Sequence, residues 1–241
     1  MNQSQYNKIA ERQLGKIHCL ENSKFEGNEG QDKPVIILFH GYGADAYDLY
    51  SLSDVIRPPV SCDFLFPQGV IEVPVGPGWT GRAWWPIDLA QIQKDAAEGK
   101  DEELVERKPV GLPKLRDQVF EAIKQLRLPW NKIIIGGFSQ GSMLATEIAM
   151  NAPENPLGLI ILSGAMINRE EWAKKVPNRK GLMFFMSHGQ SDAVLPIRGA
   201  QQLETLLTTN GLIGRLQSFK GTHEIPMHII QELNSFLKKL F

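Results

Sequence analysis

The most constraining feature of this chain is a Gly-x-Ser-x-Gly motif that lies between a strand pattern and a helix pattern. Ile133–Ile135 is a continuous β-branched run, Gly137–Gly141 reads Gly-Phe-Ser-Gln-Gly, and apolar residues recur at helical spacing from Met143 to Ile148. In such a strand–turn–helix unit the glycines leave room where a side chain would collide with a neighbouring strand or helix. The turn exposes the serine hydroxyl above the sheet edge, beside a helix N-terminus that favours negative charge. The motif therefore predicts that Ser139 is a nucleophile, and a glycine-rich turn with an idle serine is the alternative.

Short apolar runs alternate with helical patterns along the chain. The runs have the continuous hydrophobicity of strands that are covered on both faces. They are Val35–Phe39, Phe64–Phe66, Ile133–Ile135, Leu159–Leu162 and Leu182–Met186, with Ile213–Phe219 as a further candidate. Helical periodicity marks Leu112–Leu126, Pro196–Thr209 and a final stretch from Ile229 to Phe241. This alternation predicts an α/β fold with a mostly parallel central sheet and helices on both faces.

The chain shows no linker rich in proline, glycine or serine, so residues 1–241 are predicted to form a single domain. Residues 88–108 interrupt the alternation of strands and helices and are rich in charge. We interpret this segment as a surface helix or excursion, and the alternative is a lid over the active site.

Composition argues against several classes of protein. The formal net charge is −1, with no basic stripe of the kind that binds nucleic acid. No apolar run approaches the roughly 18 residues that a membrane span requires, and the N-terminus lacks the pattern of a secretion signal. Cys19 and Cys62 are too few to form a disulfide framework. We therefore expect a cytoplasmic protein with no membrane span and no nucleic-acid partner.

A second glycine-rich segment follows the first strong strand pattern. His40–Gly43 reads His-Gly-Tyr-Gly directly after Val35–Phe39. Acyl transfer requires two fixed backbone N–H donors for an oxyanion, one from the residue after the nucleophile and one from the loop after an early strand. The pattern predicts that the amides of Tyr42 and Gln140 form this oxyanion hole. His40 precedes the nucleophile in the chain, so we expect it to hold the loop by hydrogen bonding.

An acid and a base are expected after the nucleophile, in that order along the chain. Asp192 lies just past the strand pattern at Leu182–Met186, and His223 lies between the last strand pattern and the last helix pattern. We predict that Asp192 orients His223, which acts as the base. His188 lies on the same loop as Asp192 and is a poor base, and His228 falls inside the terminal helix.

Together these segments resemble the phospholipase/carboxylesterase family of α/β-hydrolases, which includes the acyl-protein thioesterases. The matching pieces extend from about Pro34 to the C-terminus. They are Leu38–Gly43, Gly136–Gly141, Leu162–Gly164, the His188-Gly189-x-x-Asp192 segment and the loop that carries His223. The resemblance implies the α/β-hydrolase fold, a triad of Ser139, Asp192 and His223, and activity without a lid, a cofactor or a metal. It also implies substrates that are esters or thioesters of short to medium acyl chains.

Two segments depart from the family pattern. Trp84-Trp85-Pro86-Ile87-Asp88 stands where many members carry a Trp-Phe-Asp-like sequence, and Thr222 replaces a glycine often found before the base. Trp84 and Trp85 are predicted to bind substrate as a wall of the acyl pocket, with ordinary loop packing as the alternative.

Other activities on the same scaffold remain open at this point. A lysophospholipase, a lactone hydrolase or a peptidase would share the fold and the triad, because specificity depends on the pocket. A non-catalytic acyl-binding protein is the alternative outside the enzymes, and a homodimer is compatible with the sequence.

Overall fold

The computed structural model describes residues 9–22, 33–88, 91, 98 and 108–241. These residues contain an eight-stranded sheet with the order β1–β2–β4–β3–β7–β8–β9–β10. Its strands are β1 (Ala10–Leu14), β2 (Ile17–Asn22), β3 (Val35–Phe39), β4 (Asp63–Pro67), β7 (Ile133–Phe138), β8 (Gly158–Leu162), β9 (Phe184–Gly189) and β10 (Leu216–Phe219). A separate hairpin pairs β5 (Ile71–Gly76) with β6 (Trp79–Ala83).

In the eight-stranded sheet, neighbouring strands pair in parallel from β4 through β3, β7, β8 and β9 to β10. Strands β1 and β2 form an antiparallel edge next to β4. The prediction of a mostly parallel α/β sheet is therefore confirmed. Every residue of β3 and β8 is buried, as expected for strands that are covered on both faces. In a parallel sheet the carboxyl ends of neighbouring strands share one edge, so the loops that follow β3, β7, β8 and β9 lie together.

Helices cover both faces of the sheet. Their bounds are α1 (Leu112–Lys124), α2 (Gln140–Asn151), α3 (Arg169–Lys175), α4 (Ile197–Thr209) and α5 (Met227–Leu240). Apolar residues of α1 to α4 pack against one face, in a cluster that includes Ile37, Ile135 and Ile161. Apolar residues of α5 pack against the other face, with Ile36, Ile134 and Ile160. Successive strand residues thus point to opposite faces, which explains why the strand patterns are continuous rather than alternating.

Two strands begin later in the structure than the sequence pattern predicts. The run Leu182–Met186 contributes to a strand that begins at Phe184 and extends to Gly189. The candidate strand Ile213–Phe219 begins as an isolated bridge between Ile213 and Met183, and regular pairing starts at Leu216. Within this break the chain passes close to β9 at Gly214, where a β-carbon would lie 2.2 Å from the carbonyl oxygen of Phe184.

The β5–β6 hairpin packs on the loop after β3. The amide of Gly43 donates to the carbonyl of Arg82 over 2.8 Å, and the amide of Arg82 donates to the carbonyl of Ala44 over 2.7 Å. A β-carbon at Gly81 would lie 1.9 Å from the carbonyl oxygen of Gly43, so this contact requires glycine. The hairpin therefore fixes the position of the His40–Gly43 segment.

Most of the predicted excursion at 88–108 lies outside the described residues, which here include only positions 88, 91, 98 and 108. Among the helices of the described ranges, none is both long enough and apolar enough to cross a membrane.

The junction between β3 and α2 provides a test of the fold. A β-carbon at Gly141 would lie 2.0 Å from the carbonyl oxygen of Phe39 and 2.5 Å from that of His40. Because backbone atoms must shift to relieve both clashes, Gly141→Ala should lower the free energy of unfolding by roughly 3 kcal/mol or more. The measurement is urea-induced unfolding followed by circular dichroism.

Gly76→Ala is the matched control, because a β-carbon at Gly76 has no neighbour within 4 Å. Its effect should not exceed about 1 kcal/mol. Equal stability of the two variants would contradict the packing described for Gly141.

Candidate active site

Ser139 occupies a strained turn between β7 and α2. Its φ of 54° and ψ of −123° are unusual for a residue with a side chain, and such conformations cost roughly 1–3 kcal/mol. Backbone bonds hold the turn: the amide of Ser139 donates to the carbonyl of Leu162 over 2.9 Å, and its own carbonyl accepts from the amide of Ser142 over 3.0 Å. The hydroxyl of Ser142 donates to the same carbonyl over 2.7 Å. The structure thus places Ser139 in the conformation expected of a nucleophile elbow.

Glycines on both sides of Ser139 allow this turn to lie against β3. A β-carbon at Gly137 would lie 2.5 Å from the carbonyl oxygen of Phe39, and Gly141 meets the same oxygen. Any side chain at either position would push the turn away from β3, so these two glycines set the height of Ser139 above the sheet.

His223 and Asp192 are joined across the loops after β10 and β9. Their Nδ1 and Oδ2 atoms are 2.6 Å apart, a short distance typical of a charge-assisted bond. The ring of His223 packs on Phe138 with centroids 4.8 Å apart. Because Nδ1 donates to the carboxylate, the neutral ring keeps Nε2 as its proton acceptor. This geometry suits a base that an acid orients.

The carboxylate of Asp192 receives hydrogen bonds on both oxygens. Oδ1 accepts from the amides of Val194 and Leu195, each over 2.9 Å. Oδ2 faces His223 and also lies 3.2 Å from Nε2 of His188. Burial on its own would raise the pKa of Asp192, but the bonds from His188, His223 and the Leu195 amide hold it well below its ordinary value. Asp192 is therefore an anion at neutral pH.

His188 is fully buried behind Asp192. Its Nε2 lies 2.8 Å from the carbonyl oxygen of Leu195, so Nε2 carries the hydrogen and donates. His188 was expected only to be a poor base, and its contact with the acid was not predicted. His188 lies near the end of β9 and Asp192 lies in the loop that follows, so no regular periodicity of the sequence indicates the contact.

Two amides of the loop after β3 are already bonded within the protein. The amide of Gly43 is bonded to Arg82, and the amide of Ala44 donates to Gly41 over 3.3 Å. Within the residues that the structure describes, the amides of Tyr42 and Gln140 donate to no other protein group. Both residues line the same cleft as Ser139. The two predicted oxyanion donors are thus available at the site.

His40 fastens this loop from its buried ring. Nδ1 lies 2.7 Å from the carbonyl oxygen of Gly41, and the amide of Gly69 donates to Nε2 over 2.9 Å. Burial lowers the pKa of His40. A neutral ring with its hydrogen on Nδ1 satisfies both bonds, which agrees with the expected structural role of His40.

A cleft of about 620 Å³ opens over these residues. This volume is in the range of small-molecule sites, and the wall is mainly apolar. Ser139 and His223 lie on it together, and Asp88 and Lys108 add charge. The main apolar residues on the wall are Trp85, Ile87, Val110, Phe138, Met143, Met166, Ile167, Val194 and Leu195.

The structure separates the two tryptophans that were predicted to bind substrate. Trp85 lines the cleft. Trp84 is 2 % exposed and is absent from the cleft wall. Its ring packs edge-on against Phe39 with centroids 5.1 Å apart, in the apolar core beneath the loop. Both rings are buried in the same apolar core, and only Trp85, which is 5 % exposed, reaches the cleft wall.

No three His, Cys, Asp or Glu side chains of the described residues are grouped as ligands of a metal ion would be. The polar side chains on the cleft wall include those of Ser139, Gln140 and His223, with the charged Asp48, Asp88 and Lys108.

The depressed pKa of Asp192 predicts a pH dependence of stability. A carboxyl whose pKa is lower in the folded than in the unfolded state stabilises the fold above its unfolded pKa of about 4, and this contribution is lost as the pH falls further. The difference in unfolding free energy between the native chain and Asp192→Asn should therefore shrink from pH 5 to pH 3. Urea unfolding at the two pH values measures it. A difference that is constant or grows on acidification would contradict the assigned direction.

Comparisons with known proteins agree with this geometry. The family model described as Phospholipase/Carboxylesterase matches residues 20–241. The chain is 28% identical over 216 residues to acyl-protein thioesterase 1 of Eremothecium gossypii, which covers 86% of this chain and 87% of the relative. It is 24% identical over 230 residues to acyl-protein thioesterase 1 of Candida albicans, with 90% and 96% of the two chains covered.

Solved structures give the same result for the fold. The crystal structure of esterase PE8 has a TM-score of 0.69 at 26% identity, and the match covers 87% of this chain and 93% of that one. A carboxylesterase from Mesorhizobium loti has a TM-score of 0.71 at 15% identity, with 95% and 98% covered, and supports the fold alone. The chain has the α/β-hydrolase fold, is a hydrolase, and belongs to the phospholipase/carboxylesterase family.

Proposed function

We propose that this chain is a serine hydrolase that cleaves carboxylic esters or thioesters of short to medium acyl chains. The observation that carries the proposal is the joint placement, on one apolar cleft, of the strained Ser139 and the His223–Asp192 pair. An enzyme that forms an acyl-enzyme requires such a nucleophile with an oriented base.

Acylation begins with attack of the Ser139 hydroxyl oxygen on the acyl carbon. Nε2 of His223 removes the hydroxyl proton, and the anionic Asp192 stabilises the imidazolium that forms. The amides of Tyr42 and Gln140 donate to the carbonyl oxygen as it becomes an oxyanion. Collapse of the tetrahedral intermediate breaks the bond to the alcohol or thiol, which leaves with the proton from His223.

Deacylation repeats these steps with water. His223 removes a proton from the water as it attacks the acyl-enzyme, and the tetrahedral intermediate again places its oxyanion at the two amides. The carboxylic acid is released, the proton on Nε2 returns to Ser139, and the starting state is restored.

The mainly apolar wall of the cleft favours acyl groups over strongly polar substrates. Trp85, Met143 and Ile167 offer apolar surface close to the Ser139 turn, while Asp88 and Lys108 lie on the same cleft. Lys108 also pairs with Glu170 over 3.2 Å. A cleft of this size and composition fits a single short or medium acyl chain.

Hydrolysis of p-nitrophenyl esters from acetate to laurate tests the proposal. Turnover should peak at a short or medium chain, and Ser139→Ala should lower kcat by roughly 10⁶. Asp192→Asn should lower it less, on the order of 10⁴, because the nucleophile and the oxyanion donors remain. The matching butyryl thioester, with the released thiol measured colorimetrically, compares the two substrate classes.

Ser235→Ala is the matched control, because its hydroxyl only donates to the carbonyl of Gln231 on the exposed side of α5. Its kcat should equal that of the native chain. Retention of most activity in Ser139→Ala, or no turnover of any ester or thioester by folded native protein, would refute the proposed function.

Trp85 should influence chain-length preference. Trp85→Leu enlarges the cleft and removes aromatic surface, so KM for short acyl esters should rise by about 10-fold while the preferred chain becomes longer. The measurement is kcat/KM across the same ester series. An unchanged profile would show that the acyl chain lies elsewhere in the cleft.

The cytoplasmic location, the single-domain organisation and the homodimer stay predictions.

A further inference from the structure

Trp84 lies between the two backbone segments that supply the proposed oxyanion donors. The segment at His40–Gly43 follows β3, and the segment at Ser139–Gly141 follows β7. Trp84 is buried under both, and its ring lies 5.1 Å from the ring of His40. Its indole N–H bonds to the first segment, and its peptide N–H bonds to the second.

The indole N–H holds the first segment. Nε1 of Trp84 donates to the carbonyl oxygen of His40 over 2.8 Å. This carbonyl belongs to the His40–Gly41 peptide group, which directly precedes the peptide group that carries the Tyr42 amide. The ring of His40 also bonds to Gly41 and Gly69, so the chain entering the Tyr42 amide is fixed on two sides.

The peptide N–H of Trp84 holds the second segment through a side chain. It donates to Oε1 of Gln140 over 3.0 Å, and Nε2 of Gln140 donates to the carbonyl of Trp85 over 2.8 Å. The side-chain amide of Gln140 is thus hydrogen-bonded through its oxygen to Trp84 and through its nitrogen to Trp85, and the residue is buried. Gln140 is also the residue whose backbone N–H faces the oxyanion in the proposed mechanism.

Through these hydrogen bonds Trp84 connects the His40–Gly43 segment to the Ser139–Gly141 segment beneath the proposed oxyanion hole. Stabilisation of an oxyanion requires donors that are fixed before the reaction, because displaced donors must reorganise during it. Two loops that are distant in sequence can hold such donors only if something fixes their separation. The pairing of β3 with β7 fixes the base of the two loops, and Trp84 joins them directly nearer the donors, to His40 by its indole and to Gln140 by its backbone.

We propose that Trp84, together with the side chain of Gln140, is a positioning residue that sets the spacing of the two oxyanion donors, and that it does not contact substrate. This inference rests on the proposed function. It differs from the prediction that Trp84 walls the acyl pocket, because the ring faces Phe39 and His40 in the core.

Trp84→Phe tests the inference, since it keeps an aromatic ring and removes the indole donor together with part of the ring volume, a loss of volume that the control below shares. With p-nitrophenyl butyrate, kcat should fall by roughly 10- to 100-fold, less than the 10²- to 10³-fold typical when an oxyanion donor is removed. KM should stay within about 2-fold, because transition-state but not ground-state binding is impaired.

Binding of inhibitors gives a second readout. Butylboronic acid forms a tetrahedral adduct with the serine, so its affinity should fall by the same factor as kcat. A non-hydrolysable ether analogue of the substrate, which carries no oxyanion, should bind both proteins equally.

Gln140→Met provides an independent variant that does not depend on the tolerance of the Trp84 site. It keeps the side-chain length, removes the bonds to Trp84 and Trp85, and should give the same loss of kcat and boronate affinity. The double variant should cost less than the sum of the two changes, because both act on one connection.

Trp172→Phe is the matched control. Trp172 is also fully buried and donates its indole N–H, to Oε2 of Glu147 over 2.6 Å. Unlike Trp84, it makes no hydrogen bond within the described residues to the segments His40–Gly43 or Ser139–Gly141. Its kcat and boronate affinity should match the native chain at a temperature where all variants are folded.

Two results would overturn the inference. A rise in KM with unchanged kcat would make Trp84 a substrate contact, and unchanged kcat and boronate affinity in both Trp84→Phe and Gln140→Met would remove its role. If instead the native chain fails to turn over the ester, or Ser139→Ala turns it over equally, the proposed function fails and the inference fails with it. Serine-dependent turnover with unaffected variants rejects the inference alone.

Discussion

The backbone turn at Ser139 is the constraint on which the site depends. Ser139 carries a side chain and yet has a positive φ. The packing of the turn between β7 and α2 against the end of β3 maintains this strained conformation. Gly137 and Gly141 allow the turn to lie against the carbonyl of Phe39, and the bond from the Ser139 amide to Leu162 anchors it to β8. The buried parallel sheet therefore supplies the energy that holds the nucleophile in its strained conformation.

The other groups of the site follow from the same sheet edge. Because β3, β7 and β9 are parallel, their carboxyl ends bring His40, Ser139 and Asp192 together from distant parts of the chain. Each group is then fixed by buried hydrogen bonds rather than by solvent-exposed ones. Three hydrogen bonds hold the carboxylate of Asp192, with His188 Nε2 close by, and Trp84 joins the loop after β3 to Gln140. Such preorganisation is what charge development in acyl transfer requires.

The strands that could be predicted from the sequence are those whose residues are buried on both faces of the sheet. Strands β3, β7 and β8 are buried on both faces, so their apolar runs stand out, and the site residues follow at their ends. Strands β1 and β2 and the β5–β6 hairpin were not predicted. Most side chains of β1, β5 and β6 are exposed and carry little apolar pattern, and the partly buried β2 is interrupted by polar residues at His18, Glu21 and Asn22. Neighbouring tryptophans are equally apolar in sequence, so the path of the chain alone decides that Trp85 faces the cleft and Trp84 the core. The contact of His188 with Asp192 likewise depends on how the loop after β9 folds back.

Covalent labelling of Ser139 tests the central claim most directly. A fluorophosphonate reacts only with an activated serine, and mass spectrometry of the digested protein locates the adduct. The account predicts one phosphonyl group on the peptide that contains Ser139, no labelling of Ser139→Ala, and much slower labelling of His223→Ala, since the base that activates the serine is lost. Labelling at another serine, or no labelling of the folded native protein, would contradict the assignment of Ser139 as the nucleophile.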